Sequence, residues 1–257
     1  MGNGKFRPAF GLGLNAGVAK MDMTPLKKTG EAFKMSMGSL PATLVMPTLT
    51  FDARLGGVKV SDFELPFDIG FTISTFDSSK ISKLESAIKP VSFDFFAIGG
   101  DIRYCLWKTE TLQTRLSVGA GYYYTKGGVN VDADDANASL NFKSHNFVLS
   151  VQLSTKLAFF RPFIGGRFMF TNTSVDWYAR DVKWSSILDK SNSGITQAIA
   201  NGFLPTNFSG GVSGFKFYPV VQGGFCFDLA VIDLTFSASY DFISKNYGGA
   251  FSLRFSL

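Results

Sequence analysis

Apolar and polar residues alternate along most of this 257-residue chain, and this period of two limits the possible folds more than any other feature. Near the start, Phe10, Leu12 and Leu14 alternate with Gly11 and Gly13. A helix would mix these two sets on every face, whereas a strand puts them on opposite faces. The pattern recurs near residues 63–74, 96–106, 112–124, 147–154, 215–228, 232–242 and 251–257, and less regularly near 43–56 and 162–176. We therefore predict about ten β-strands.

The composition is apolar, yet no stretch approaches the roughly 20 uncharged residues that a membrane helix needs. Apolar residues make up 46% of the chain and charged residues 18%, with a mean hydropathy of +0.14. These values exclude a disordered chain, which combines low hydrophobicity with high net charge. They also disfavour an ordinary soluble enzyme, whose charged share is about 25%. Strands with one apolar face explain the composition without a membrane helix.

The predicted connections also alternate, between long links and tight turns. Long links are expected near 20–42, 77–90, 126–139 and 178–212, with a shorter one near 243–248. Tight turns are expected at Gly56-Gly57, Lys108-Thr109-Glu110, Phe159-Phe160-Arg161 and Leu229-Ala230, and a β-bulge at Phe95-Phe96. Loops at one end and turns at the other are typical of transmembrane barrels. We predict one all-β domain over residues 1–257, a closed antiparallel transmembrane β-barrel with long extracellular loops and short periplasmic turns. A soluble β-sandwich or a lipid-carrying barrel is the alternative.

The last strand has apolar residues at alternate positions: Phe251, Leu253, Phe255 and Leu257. It resembles the C-terminal strand of bacterial outer-membrane β-barrels, which the barrel-assembly machinery reads and which usually ends in Phe. The resemblance implies a monomer in the bacterial outer membrane that contacts outer-membrane lipid and this machinery. Residues 1–4 do not form a signal peptide, so we expect the mature form.

Charged residues on the polar faces are the main candidates for a site inside the barrel. The candidates for a lumen constriction are Arg7, Arg54, Glu64, Asp68, Asp101, Arg103, Arg115, Asp228, Asp233 and Arg254. Arg103 and Arg115 are expected to lie opposite each other across the Lys108-Thr109-Glu110 turn. The set is either a salt-bridge plug that packs a small barrel or a constriction that selects solutes or gates a pore. Because eight strands already enclose only enough space for side chains, ten strands disfavour a wide porin.

The first long link is unusually apolar and contains Met21, Met23, Met35 and Met37. Methionine side chains adapt to varied apolar surfaces, and an exposed apolar loop needs a cover or a partner. The alternatives are packing over the barrel mouth, contact with a hydrophobic ligand or protein, and a Cu(I) site.

Evidence for catalysis, cofactors or nucleic-acid binding is weak. His145 is the only histidine, so a metal or catalytic site built on several imidazoles is excluded. Ser144 precedes it and should point to the opposite face, and the Asp-x-His arrangement of ten-stranded outer-membrane proteases is absent. Cys105 and Cys226 are expected to be free thiols, and the basic residues form no stripe. We expect no enzyme activity, no metal, no cofactor and no nucleic-acid partner.

The sequence therefore suggests a narrow passage, with or without a gate, for small solutes or small hydrophobic molecules. The alternative is a closed structural barrel whose surface loops bind host or partner molecules, as an adhesin does. A hydrolase at the loop rim is a minor alternative.

Overall fold

The structure, a computed structural model, consists almost entirely of long strands. It describes residues 7–22, 43–60, 63–64, 66–78, 91–109, 113–133, 136–183, 197, 201–202 and 205–256. The strands are β1 (Arg7–Asp22), β2 (Thr43–Val60), β3 (Phe63–Glu64), β4 (Phe67–Asp77), β5 (Val91–Lys108), β6 (Thr114–Ala133), β7 (Ala136–Thr155), β8 (Phe160–Arg180), β9 (Phe208–Leu229), β10 (Ile232–Asp241) and β11 (Asn246–Ser256). No helix in the described ranges is both long and apolar enough to cross a membrane.

These strands form one closed antiparallel barrel. Each barrel strand pairs with its neighbours in sequence, and β1 pairs with both β2 and β11, which closes the sheet. The short β3 and the longer β4 both pair with β2 and together make one barrel strand, so the barrel has ten. Closure pairs the first strand with the last, so the part of the barrel in which all ten strands are present has no open edge. The predicted fold class and strand number are confirmed.

The two faces of the sheet differ as the alternation predicts. Leu12 and Phe71 point outward and are 53% and 50% exposed, whereas Gly13 and Asp52 point inward and are buried. Outward phenylalanines form ladders from strand to strand. The ring centroids of Phe225 and Phe236 are 5.3 Å apart, and those of Phe236 and Phe251 are 5.0 Å apart. The large apolar residues thus cover the outside, and the interior is mostly polar.

Two predicted connections are wrong, because the sheet continues where a link was expected. Gly56-Gly57 lies within β2, and the tight link follows Val60, which pairs with Phe63. The region 126–139 is mostly strand, because β6 and β7 remain paired up to Ala133 and Ala136. Its glycines and polar residues suggested a loop, but the backbone ladder and a cross-strand hydrogen bond from Ser139 to Asn130 hold it as a hairpin.

Other expected turns shift by a few residues. Phe160 and Arg161 belong to β8, so this turn lies between Thr155 and Phe160. In the last tight turn Ala230 adopts a left-handed backbone conformation, with φ of 56°.

The β-bulge predicted at Phe95-Phe96 is also wrong. Pairing of β5 with β4 and β6 is continuous there, and the register shift lies between Cys105 and Trp107. The alternation breaks at Phe95 for a different reason. Phe95 points inward and stacks on Phe76, with ring centroids 5.9 Å apart. The inner face of β4 and β5 therefore becomes apolar near the loop end.

The barrel wall is uneven in height. The strands β8 and β9 have 21 and 22 residues, whereas β10 and β11 have 10 and 11. A tilted strand needs only about 9–11 residues to cross a bilayer. The wall formed by β6 to β9 therefore extends about ten residues beyond that length on the loop side.

We predict that an arginine introduced on the outer face destabilises the barrel much more than an arginine introduced on the inner face. Phe236→Arg should lower the free energy of unfolding in lipid vesicles by about 2–4 kcal/mol, because it puts a charge among outward phenylalanines. Ser237→Arg is the matched control, since Ser237 lines the interior cavity and should cost much less. Denaturant titrations followed by tryptophan fluorescence measure both. Equal losses at the two positions would contradict the assignment of faces.

Candidate functional site in the barrel lumen

The interior contains a cavity of about 670 Å³ lined mainly by polar side chains. Along β11 its lining runs from Gly248 near the loop end to Arg254 near the turn end. Six residues of strand cover about 20 Å, so the cavity follows much of the barrel length. Small inward residues of β10 and β11, such as Ser237 and Ser252, leave this space open.

Opposite this open side, five residues on β2, β4, β5 and β6 form a polar network. Arg54 donates two hydrogen bonds to the carboxylate of Asp101, at 3.0 and 3.1 Å, and a third to Asp68 at 2.7 Å. Arg103 donates through Nε to Asp68 at 3.0 Å, and the Tyr123 hydroxyl donates to Asp101 at 3.1 Å. Bidentate arginine–carboxylate pairs are among the stronger polar contacts in proteins. They fix these side chains against one wall.

Asp52 extends the network across the closing strand β1. Its buried carboxylate accepts hydrogen bonds from Asn15 and Arg254, both at 2.8 Å, and lies 3.9 Å from Nε of Arg54. Together the network, which we call the arginine–aspartate network, contains Asp52, Arg54, Asp68, Asp101, Arg103, Arg254, Asn15 and Tyr123. Its three arginines and three aspartates carry no net charge.

Glycines make room for these side chains on the neighbouring strands. A Cβ atom at Gly13 would overlap the Asp52 carboxylate, and one at Gly70 would lie 2.8 Å from Oδ2 of Asp101. One at Gly119 would lie 2.9 Å from Cγ of Arg103. The glycines of the inner face therefore leave space for the ion pairs.

A second charged group, which we call the turn-end group, lies on β8, β9, β10 and the turn before β8, and contains Lys156, Arg161, Cys226, Asp228 and Asp233. Asp228 pairs with Arg161 at 2.9 Å and with Lys156 at 3.0 Å. The thiol of Cys226 lies 3.3 Å from the Asp228 carboxylate. Potential metal ligands on Cys226, Asp228 and Asp233 lie within 4.8 Å of one another. The two basic partners of Asp228 would compete with a cation, so this group does not suit a metal.

The predicted constriction residues fall into three sets. Arg54, Asp68, Asp101, Arg103 and Arg254 meet in the arginine–aspartate network, and Asp228 and Asp233 lie in the turn-end group. Arg115 is exposed at the start of β6. For Arg7 and Glu64 the structure describes only the backbone, which places both opposite Lys59 of β2. Of the predicted apolar loop, Met21 is the penultimate residue of β1, and Met23, Met35 and Met37 lie outside the described residues.

The expected opposition of Arg103 and Arg115 is wrong. Arg103 is paired in register with Gly119, and Arg115 with Lys108. The turn between β5 and β6 is centred about two residues later than the sequence suggests. The partner of Arg103 on β6 is therefore four residues beyond Arg115. Asp68, rather than a second arginine, is the partner of Arg103.

Several lumen residues were not among the site residues predicted from the sequence. Asp52 and Arg167 lie in the two strands with irregular alternation, so their faces could not be assigned. Arg167, Gln152 and Gln222 all line the cavity. One sequence signal could have identified Arg167: it is a charged residue that directly follows two glycines, Gly165 and Gly166.

His145 lies on the outer face rather than in the lumen. Its Nδ1 atom is 2.6 Å from the hydroxyl of Tyr122, and its ring lies 5.2 Å from that of Tyr124. Ser144 is buried on the inner face, where its hydroxyl hydrogen-bonds with that of Thr173 at 2.8 Å. The two neighbours therefore cannot act as a nucleophile and its base.

The sequence matches no known family and no curated protein, but solved structures share its architecture. The outer-membrane protease OmpT of Escherichia coli aligns over 98% of both chains, with 9% identity and a TM-score of 0.53. The chain has the fold of a bacterial outer-membrane β-barrel. Other similar barrels are the translocator domain of the autotransporter NalP from Neisseria meningitidis, with 7% identity over 97% of this chain and 87% of that one and a TM-score of 0.43, and Neisserial surface protein A, with 10% identity over 97% and 96% and a TM-score of 0.34. At these identities the similarity concerns the fold alone.

We predict that this outer-membrane barrel will be sensitive to one added methyl group inside its lumen. Gly13→Ala should lower the free energy of unfolding by about 1–3 kcal/mol, because the new Cβ displaces the Asp52 carboxylate. Gly214→Ala is the matched control, since a Cβ at Gly214 meets nothing within 4 Å and alanine restricts the unfolded chain. Chemical denaturation of both variants in vesicles tests the difference. A Gly13→Ala variant as stable as Gly214→Ala would contradict the packing described here.

Proposed function

We propose that this barrel is a narrow passage for small polar solutes across the bacterial outer membrane. The observation that supports this most directly is the polar cavity of about 670 Å³ that follows β11 from Gly248 to Arg254. A barrel packed only for stability would fill this space with side chains, as small barrels do. Here the ion pairs fill one side, and serines, threonines and glycines leave the other side open.

The same arrangement argues for small cargo. The arginine–aspartate network occupies the β2 to β6 side of the lumen, which leaves no room for a wide pore. The lining of the open side is polar, with Thr235, Ser237, Ser239 and Ser252 among its residues, so small polar solutes fit it better than apolar molecules.

The remaining features fit a monomer surrounded by outer-membrane lipid. The outer surface is rich in phenylalanine, and Tyr122, Tyr240 and Trp107 lie toward its two rims, where aromatic residues form interfacial girdles. The β11 strand closes the barrel and is the segment through which we expect the assembly machinery to act. We also propose that the protein is not an enzyme, which the separation of Ser144 from His145 supports.

Blocking the open side of the lumen should reduce conductance. Ser252→Trp places a large ring in the cavity, whereas Leu253→Trp places the same ring on the outer face of the same strand. In planar bilayers the first variant should conduct several-fold less than the wild type, and the second should conduct normally. Wild-type protein that is electrically silent, and vesicles that do not swell in small sugars, would overturn the proposed passage.

The height of the wall supports a second candidate function, binding of a partner at the cell surface. The β6 to β9 wall extends beyond the bilayer, and its inner face is held by cross-strand hydrogen bonds such as that from Thr171 to Asn146 at 2.8 Å. This rigid surface could present a binding site, as in an adhesin.

Shortening the β6–β7 hairpin tests this second function. Replacing residues 130–139 by an Asn-Gly turn removes only the part of the wall beyond the bilayer and still closes the hairpin, so folding and conductance should persist. Cells that display the shortened barrel should lose attachment to extracellular-matrix proteins if the wall is a binding surface. Equal attachment by both forms, or none by the wild type, would rule out this role.

A further inference from the structure

Arg167 on β8 is the one arginine of the cavity lining that forms no ion pair within the described part of the chain. It lines the cavity, yet it makes no hydrogen bond or ion pair with any described residue. Five other basic side chains of the lumen each have a carboxylate within 3.0 Å, namely Arg54, Arg103, Arg254, Arg161 and Lys156. The only inward carboxylate on the lower parts of β7, β8 and β9 is Asp228, which Arg161 and Lys156 already hold.

Two glutamines lie beside Arg167 and also lack partners among the described residues. In register, Gly165 of β8 lies between Gln152 of β7 and Gln222 of β9. All three residues lie on the inner face. Their row is two residues closer to the turn end than Arg167. Because Gly165 has no side chain, the space between the two carboxamides stays open. Both glutamines line the same cavity as Arg167.

These side chains offer a set of hydrogen-bond donors with a positive charge. The guanidinium has five N–H donors in a planar fork, and each carboxamide has two more. A guanidinium fork matches the two oxygens of a carboxylate or phosphate. The ligand chemistry that fits is therefore a small oxyanion.

No carboxylate on the opposite wall forms an ion pair with Arg167 within the described part of the chain. Tyr123, Asp101 and Arg54 all interact with it electrostatically across the lumen, but the charges of Asp101 and Arg54 have opposite signs and partly cancel. Asp101 already accepts two hydrogen bonds from Arg54 and one from Tyr123. Its carboxylate is thus committed to its own wall.

We propose that Arg167, Gln152 and Gln222 form a binding site for small oxyanions, which makes the lumen selective for anions. This proposal rests on the proposed passage for its selectivity, but the site itself needs only access from one end of the barrel. Rings of basic side chains give anion selectivity in known pores. Here one uncompensated arginine would provide it.

The test combines a binding measurement with a selectivity measurement on the full-length protein. As inorganic phosphate is added to the micellar protein, binding is followed by the NMR signal of the Arg167 Nε–H group in the wild type and by the side-chain amide signals of Gln152 and Gln222 in every variant. Selectivity is followed by the reversal potential of planar bilayers in a potassium chloride gradient. The variants are Arg167→Met and Arg167→Lys, and Lys126→Met is the control because it removes the same charge from an exposed site at the outer face, beside the Phe96 ring.

In the wild type, phosphate should shift the Arg167 signal and chloride should permeate better than potassium. In Arg167→Met the chloride-to-potassium permeability ratio should fall by roughly threefold or more, because a unit charge is lost from a narrow lumen. Arg167→Lys should keep most of the selectivity but bind phosphate more weakly, since it lacks the planar fork. Lys126→Met should behave as the wild type in both measurements.

The two proposals fail in different ways. An Arg167 signal that phosphate does not move, together with a permeability ratio that Arg167→Met does not change, would overturn the oxyanion site while conduction upholds the passage. A phosphate-dependent shift in a barrel that never conducts would uphold the site and overturn the passage. If Arg167→Met does not fold, Arg167→Gln replaces it, because glutamine also removes the charge, and a permeability ratio equal to that of the wild type would then overturn the site.

Discussion

The backbone hydrogen bonds between β1 and β11 are the constraint on which the rest of this structure depends. A hydrocarbon layer offers no partner for an unpaired N–H or C=O group, so a sheet can cross it only if its first and last strands pair. Nine register pairs, from Gly11–Ser256 to Ala19–Gly248, make this closure. Once the sheet is closed, every strand has one face toward the outside and one toward the lumen. The alternation of the sequence then decides on which face each side chain lies, with most phenylalanines outside and most polar residues inside.

Closure also limits the space inside, and the arginine–aspartate network is a response to that limit. Long arginine side chains on ten converging strands collide unless their neighbours are small. Gly13, Gly70 and Gly119 provide this space beside Asp52, Arg54 and Arg103. The pairing of each arginine with an aspartate removes the repulsion that close guanidinium groups would otherwise cause. The many glycines and the many charged residues of the inner face are therefore connected, because the glycines leave the space that the charged side chains fill. In the sequence the two look like separate features.

The sequence predicted those properties that depend on the period of two alone. The ten strands, the closed barrel and the outward faces follow from alternation. Successive side chains of a strand point to opposite faces, so Phe71 must lie outside if Gly70 lies inside. Contacts inside the lumen depend on register, and register depends on where each turn is centred. A shift of about two residues in the turn after Lys108 was enough to replace Arg115 by Gly119 as the neighbour of Arg103. Asp52 and Arg167 were missed because alternation is irregular in β2 and β8, and the inward Phe95 was mistaken for a bulge because the inner face becomes apolar near the loop end.

Pairing of charges also decides what a solute in the lumen would experience. A paired arginine and aspartate act together as a dipole, whose field falls with distance faster than that of a single charge, and water in the cavity weakens it further. The six charges of the arginine–aspartate network therefore matter less to a passing ion than their number suggests. One unpaired guanidinium beside the open side of the cavity has a longer reach than all of them. The selectivity of such a lumen would thus depend on the one arginine of the cavity lining that the packing leaves unpaired, and not on the sum of the charges that line the cavity.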